Sequence, residues 1–472
     1  MFSRLLQPPR TSIPTMCCKC NSSFLFRNTP LYACRGGLVG CRISSGRKRL
    51  THSLSKKDVH ALLPTMEELG LKEGDFVTVG MSGGVDSATA LCILKQFPIH
   101  LDVVFMRNWD PLLSESDLSE EDSGSQLARF YSSTSRKPNL SPCEWERDWN
   151  DVMKIATHVG IPKSDVRLVD LSKEYWSRVF EPAIGVWGSG ATPNPDISCN
   201  REIKFGALLH KLPKENRHFL ATGHYGRILH SPGLSPRLFR AVDSSKDQTY
   251  YLSQISDYQL SRSILPLGGL LKTEVRQLAE YWNLPNAKKA ESMGVCFIGE
   301  RNNFGDFISQ YTSPPETGYL VTLTGDRLGE HKGLWHYTIG QRARIANQHK
   351  PMFVAKKGVG QTGQDILVVP GSNHLYLCCQ EIIIGNFFWI HGNFPHDLLD
   401  EQDEKVQVQV RHRMEPVHAQ IRKGHNDKSV NIYFKEPLVG VSPGQFAAIW
   451  YDGWCLGSGA IQDTICPKEV SD

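Results

Sequence analysis

The chain has 472 residues, 40% of them hydrophobic and 22% charged, and carries a formal net charge of +4. That length suits two or three domains with a sizeable core, and no apolar run approaches the roughly 18 residues of a membrane span, so no membrane insertion is expected. The charge is unevenly spread: residues 1–57 hold eleven Lys/Arg and no Asp or Glu, and the remainder is acidic, with 42 basic against 49 acidic residues.

An acid-free arm that is rich in Arg and contains Ser and Thr, without a central apolar block, reads as an organelle transit peptide rather than a secretory signal. Residues 1–57 are therefore expected to direct the protein to the mitochondrion (matrix), a plastid being the other destination. A basic nucleic-acid-binding arm is the competing reading. Of thirteen cysteines, five fall in this arm, and Cys17-Cys18-x-Cys20 has no matching Cys or His pair at finger spacing. The other eight are scattered, which fits a reduced compartment where particular thiols do chemistry.

From Asp58 helix and strand patterns alternate, as in a parallel sheet covered by helices. An apolar strand, Phe76 to Met81, is followed by Ser82-Gly83-Gly84-Val85-Asp86-Ser87 and a helix from about Ala88 to Gln96. Glycines there let the backbone turn and approach an anion, while N–H groups and the helix dipole point at it. A Walker loop would place a lysine in this cradle; here Asp86 stands among hydroxyls. An acid in that place suits a magnesium ion on a leaving pyrophosphate, so cleavage of a nucleotide between its α and β phosphates is expected. The string resembles the PP-loop of the adenine-nucleotide alpha hydrolase-like ATP pyrophosphatases. That resemblance implies adenylation and names no substrate.

Further strands are expected at His100 to Met106, Asp165 to Leu171 and His218 to Thr222, so that Met106, Asn108 and Gly223 face the same crevice as the loop. Between them, residues 110–143 are Ser- and acid-rich without apolar period, a surface insertion and a candidate phosphoregulated loop. Two cysteine segments come next. Thr192-Pro193-Asn194-Pro195-Asp196-Ile197-Ser198-Cys199 is stiffened by its prolines; Arg201 and Lys204 beyond it would lower the thiol pKa, and Asp196 offers an acid or base beside a nucleophile. Cys296 lies in a glycine-flanked loop after Lys288-Lys289. A structural disulfide between the two cysteines, or an inert buried thiol, are the alternatives. Beyond about Glu300 short β-type runs between Gly and Pro turns read as all-β, in two small modules or one barrel. Two separated thiols beside an ATP pyrophosphatase loop suggest sulfur transfer to a carbonyl carbon whose oxygen AMP turns into a leaving group.

The segments TPNPDISCNREIKF, TGHY at Thr222 to Tyr225, DSSKDQTYYL from Asp243, AKKAESMGVCFIGERNNF from Ala287, YTIGQR from Tyr337 and SPGQFA from Ser442 resemble the tRNA-specific 2-thiouridylases. The resemblance spans nearly everything after residue 70 except the insertion. It implies an α/β PP-loop domain with a Rossmann-type parallel sheet over residues 58–300, a small β-rich central domain over 301–376 and a C-terminal β-barrel over 377–472 that binds tRNA. It further implies a sulfurtransferase that uses ATP with Mg2+ to adenylate the C2 oxygen of the wobble uridine (position 34), then transfers persulfide sulfur, releasing AMP and pyrophosphate.

Residue by residue, the resemblance makes Gly80, Met81, Ser82, Gly83, Gly84, Val85, Asp86 and Ser87 the ATP phosphate loop, with Met106 and Gly223 at the adenosine. Asn194, Pro195 and Asp196 become contacts to the target base, Asp196 doubling as acid/base. Cys296 becomes the persulfide carrier and Cys199 the thiol that attacks it or closes a disulfide as sulfur leaves. His224, Lys246, Asp247, Gln248 and Gln445 match tRNA contacts, as do Arg411 and His412, although the family often has Arg-aromatic where this chain has Arg411-His412-Arg413. The implied partners are the tRNA anticodon stem-loop and an upstream sulfur donor such as a cysteine desulfurase or relay protein, with the enzyme a monomer. The rivals are an amide-forming PP-loop synthetase and a non-catalytic RNA-binding scaffold.

Overall fold

The computed structural model describes residues 54–109, 144–214, 217–290, 308, 311, 317–395, 404–426 and 428–467. The basic arm up to residue 53, the insertion at 110–143 and Cys296 lie outside them. Helix α1 (Lys56–Leu62) begins within the last residues of the arm, its N-terminus closed by a Ser55–Asp58 capping box.

The first layer is a parallel sheet of β1 (Phe76–Met81), β2 (His100–Arg107), β3 (Val166–Asp170), β4 (His218–Thr222) and β7 (Ser263–Ile264), in the order β3-β2-β1-β4-β7. Val77, Val79 and Met81 on one face of β1 and Thr78 on the other are all at most 3% exposed, as a strand covered on both faces requires. Helix α2 (Val85–Leu94) packs against it almost wholly buried, and α3 (Glu144–Val159) contributes Val152, Ile155 and Ala156 to the same core. The chain order reverses between β1 and β4. Their carboxyl ends therefore open a crevice at a topological switch point, where sheets of this kind bind ligands.

A helical run at 172–188 contains a π-helical turn, Trp176–Phe180. The short helix α4 (Pro195–Cys199) passes directly into a second π-helical stretch, Asn200–Leu208. Neither was expected from the sequence; inserted π turns re-aim side chains and are frequent at functional sites.

The β-rich half forms two sheets. The smaller holds β8 (Gly318–Val321), β9 (Arg327–His331), β10 (Arg342–Ala343), β11 (Met352–Val359) and β12 (Asp365–Pro370), in the order β10-β11-β12-β8-β9. The larger, antiparallel throughout, has β13 (Cys378–Ile384), β14 (Phe387–Trp389), β15 (Val406–Gln409), β16 (Val417–Lys423), β17 (Val430–Val439), β18 (Phe446–Tyr451), β19 (Trp454–Ala460) and β20 (Asp463–Ile465). A hairpin from the first half, β5 (Arg227–Leu229) and β6 (Arg237–Phe239), extends this sheet by pairing Phe239 with Trp454. Ala448, Trp450 and Cys455 share one buried cluster with Tyr250, Leu252 and Ile255, so the two halves have a common core.

Candidate active site

The phosphate loop follows β1. Gly83 has φ +73°, where a side chain is strained, and a Cβ there would stand 3.0 Å from the Asp148 carbonyl oxygen of α3. Gly84 caps α2 with no side chain to satisfy the first-turn N–H groups, leaving them to an anion. The Ser87 hydroxyl stiffens the turn by donating to the Gly84 carbonyl at 3.1 Å and accepting from the Ser82 N–H at 3.2 Å. Gly223, at the end of β4, lies so near the start of α2 that a Cβ on it would meet the Ser87 nitrogen at 2.7 Å. Its lack of a side chain sets the width of the crevice, whatever it also offers a nucleotide. Met106 is half-buried on β2, and Asn108 just beyond has a buried Oδ1 without a hydrogen-bond partner among the described residues.

The sequence reading found no lysine for this loop; the fold supplies one. Lys272, at the start of α5 (Lys272–Tyr281), places Nζ 2.6 and 2.8 Å from the two carboxylate oxygens of Asp86, 186 residues away, and the Tyr225 hydroxyl donates to Asp86 at 2.9 Å. Asp86, the acid expected to suit a magnesium ion on the leaving pyrophosphate, is engaged in this structure by an ammonium and a phenol. Among the described residues no three Asp, Glu, His or Cys side chains converge as a metal site. On the other side of the loop, buried Asn286 donates to the Gly83 carbonyl at 3.0 Å while its Oδ1 lacks a partner among the described residues. Lys289 binds Asp148 and Asp151 of α3 at 3.1 and 2.9 Å; burial works against its charge, but these carboxylates outweigh it and raise its pKa. A backbone cradle with two lysines and two orphaned amide oxygens fits ATP.

The second cluster grows from α4. Asn194 is its N-cap, accepting from the Ile197 N–H at 3.3 Å, and its amide donates to Gln445 at 3.4 Å. Gln445 in turn donates to the Pro193 carbonyl at 3.3 Å, and the Thr192 N–H bonds the Pro443 carbonyl at 2.9 Å. The loop between β17 and β18 thereby grips the extended segment ahead of Asp196. Pro195 is buried in the first turn of the helix. Burial pushes the Asp196 carboxyl above its usual range, with Lys204 opposing. Lys204 Nζ lies 3.5 Å from His224 Nε2, and His224 Nδ1 is 2.7 Å from the Thr222 hydroxyl; burial first and Lys204 second hold this imidazole neutral. Burial, then the Asp196 charge, raises the Tyr251 pKa, and the Tyr251 ring lies 4.4 Å from that of His412. The Arg-aromatic position that this chain fills with histidine thus makes a ring contact, with its own tyrosine.

Cys199 ends α4 at 4% exposed. The two cations expected to act on its thiol have other partners: Arg201 binds Glu202 at 2.7 Å and Gln254 at 2.6 Å, and Lys204 faces His224. Several expected RNA contacts are also engaged within the protein. Asp247 accepts from Arg240 at 2.9 Å, from the Ala241 N–H at 2.9 Å and from Thr249. Gln248 accepts from the Tyr225 N–H at 2.9 Å, which steadies the phenol on Asp86. Lys246 is half-buried in the same turn, and Arg411 follows β15, its carbonyl accepting from Gln409 at 3.1 Å.

Three domain models match in succession, described as the tRNA methyl transferase HUP domain (residues 75–300), the tRNA methyl transferase PRC-barrel domain (305–368) and the aminomethyltransferase beta-barrel domain (379–461). The chain is 35% identical over 389 residues to the tRNA-specific 2-thiouridylase MnmA of Staphylococcus epidermidis, covering 82% of this chain and 95% of that protein. Against the MnmA of Staphylococcus saprophyticus it is 37% identical over 390 residues, with the same coverage. The chain belongs to the tRNA-specific 2-thiouridylase family. The domain descriptions speak of methyl transfer, but the relatives matched over nearly their whole length are named for thiolation, and a tRNA sulfurtransferase of the PP-loop superfamily is what the chain is. Its architecture in family terms is a HUP α/β domain, a PRC-barrel middle domain and a C-terminal barrel. The U34-tRNA thiolase NcsA from Methanococcus maripaludis superposes with a TM-score of 0.28 at 16% identity over 52% of this chain and 66% of that one, too little to carry an argument.

Proposed function

We propose that this thiouridylase acts on the wobble uridine (position 34) of mitochondrial tRNAs, imported by its basic arm and working as a monomer in the matrix. ATP lies on the phosphate loop, where Lys272 meets the charge of the departing pyrophosphate. Magnesium arriving with ATP would neutralise charge on the departing pyrophosphate, and Asp86, beside Lys272 on the loop, is the carboxylate that would reach it. The uridine C2 oxygen attacks the α phosphorus and pyrophosphate leaves. Asp196, whose carboxyl pKa is raised above its ordinary value by burial, is the acid/base at the base edge.

Sulfur arrives as a persulfide on Cys296 from an upstream donor such as a cysteine desulfurase. The Cys199 thiolate attacks the inner sulfur of that persulfide, forming a Cys199–Cys296 disulfide and releasing hydrosulfide. Hydrosulfide adds at C2 and AMP departs with the former uridine oxygen. The anticodon stem-loop is held between the crevice and the barrel, with Asn194 and Pro195 at the base and His224, Lys246, Arg411 and His412 among the RNA contacts.

The observation that carries this reading is the run Thr222-Gly223-His224. Gly223 packs against the phosphate loop, while the next residue faces Lys204 and through it Asp196, so nucleotide and base sites are adjacent. Mass spectrometry of mitochondrial tRNA nucleosides after loss of the gene tests it. Loss of 2-thiouridine at the wobble position is expected; an unchanged level contradicts it.

A further inference from the structure

The Gly83–Gly84 peptide sits at the bend of the phosphate loop with glycine on both sides, so its own chain does little to stop it turning over. A trans peptide is flat, with its carbonyl and N–H pointing in opposite directions. Whatever holds the Gly83 carbonyl therefore aims the Gly84 N–H. That N–H stands at the mouth of α2 and reaches the Ser82 hydroxyl at 3.4 Å, longer than an ordinary N–H···O bond, so it keeps most of its capacity to donate to a ligand.

The Gly83 carbonyl is held from outside the loop. Asn286 Nδ2 donates to it at 3.0 Å and Lys289 Nζ at 3.4 Å, from positions 203 and 206 residues further along the chain. The segment that carries them is itself fixed, because Arg276 of α5 donates to the carbonyls of Ala287 and Lys289 at 3.2 and 3.3 Å. Asn286 is 7% exposed, and its Oδ1 receives no hydrogen bond among the described residues. Burying an amide acceptor without return works against folding, so packing alone would favour an apolar side chain there. What the amide supplies is the donor. Lys289 also neutralises Asp148 and Asp151, whose helix runs so near that a Cβ on Gly83 would stand 3.4 Å from Asp151 Cβ. Left bare, those carboxylates would repel an anion on the loop.

We propose that Asn286 and Lys289 are positioning residues for the activation step: they hold the Gly83 carbonyl on their side, so that the Gly84 N–H points at the pyrophosphate end of ATP, and Lys289 keeps the α3 carboxylates from opposing it. Both act through the peptide and the local charge rather than by touching the nucleotide. This rests on the reading that ATP is split between its α and β phosphates on this loop.

The test is an equilibrium titration of full-length enzyme with pyrophosphate and, separately, with AMP, both with magnesium, for wild type, Asn286→Leu, Lys289→Met and Lys289→Arg. Pyrophosphate affinity is expected to fall about tenfold in Asn286→Leu and in Lys289→Met, the scale on which a hydrogen bond to a charged group acts, with AMP affinity unchanged. Lys289→Arg, which keeps the charge, should recover most of the loss. The Lys289 side chain is 36% exposed, so its variants keep the test open should Asn286→Leu fail to fold. Unchanged pyrophosphate affinity in either folded variant overturns the proposal. So does an equal loss for AMP, which would mean a general loosening of the site, or an arginine variant no better than the methionine one. Should wild-type enzyme itself fail to bind pyrophosphate, the reading of the loop falls, and the proposal with it, before any variant is compared.

Discussion

Asp196 shows how one residue joins stability to chemistry. Its carboxyl pKa is raised by burial, so the folded state holds the proton more tightly than the unfolded chain, and stability falls as pH rises through the interval above the ordinary value of 3.8. Asp196→Asn should therefore raise the melting temperature at neutral pH, with the gain vanishing near pH 3, while tRNA-dependent thiolation drops about 10²–10⁴-fold. Calorimetry at two pH values beside a thiolation assay checks both; a lower melting temperature at pH 7 would mean that the carboxylate is stabilised by its surroundings. Lys272 is the residue that local sequence could not place at the loop. Its partner is 186 positions away, and only the parallel β1–β4 pairing and the packing of α5 against α2 bring them together. Lys272→Met should slow pyrophosphate release about 10²–10³-fold, the scale on which a preorganised charge acts, with a smaller effect on tRNA affinity.

At the scale of elements, the phosphate loop was legible because its residues are contiguous and stand between a strand and a helix, and both flanking elements formed where the pattern placed them, the helix starting three residues earlier. The hairpin of β5 and β6 and strand β19, with its three residues of glycine or serine in the middle, carry no alternating apolar signal; they are strands because their neighbours supply hydrogen-bond partners. The π-helical stretch after Cys199 follows from packing, not propensity. Two glycines measure how tightly the elements are set. Gly223→Ala would push a Cβ into the start of α2, and Gly444→Ala, at φ +89°, into the Thr192 backbone at 2.7 Å. Each should cost about 1–3 kcal/mol by overpacking. Gly223→Ala should weaken ATP binding first, and Gly444→Ala the docking of the segment ahead of Asp196, seen as a raised KM for tRNA with ATP affinity retained.

For the molecule as a whole, six described histidines, His218, His224, His230, His331, His391 and His412, have pKa values lowered, with burial the first cause in each. The unfolded chain binds protons near pH 6.5 where the folded chain does not, so each contributes stability that is present above that pH and lost as pH falls below it. Melting temperature should begin to fall below about pH 6.5, well before ordinary carboxylates titrate; a flat profile down to pH 5 would contradict this. The sharing of Trp450, Ala448 and Cys455 with the core around Tyr250 and Leu252 makes the halves interdependent. A chain ending at residue 376 should expose that core and aggregate, and its recovery as a soluble, cooperatively melting protein would show the barrel to be dispensable for folding.

The most direct measurement follows one oxygen. A tRNA carrying 18O at C2 of the wobble uridine is incubated with full-length enzyme, ATP and a persulfide donor, and the AMP is analysed by mass spectrometry. The expected result is AMP bearing the label in step with 2-thiouridine formation, since in the proposed mechanism the C2 oxygen attacks the α phosphorus and leaves with it. Unlabelled AMP alongside thiolated tRNA would show that the oxygen departs by another route and that the loop at Ser82 to Ser87 does not activate the uridine.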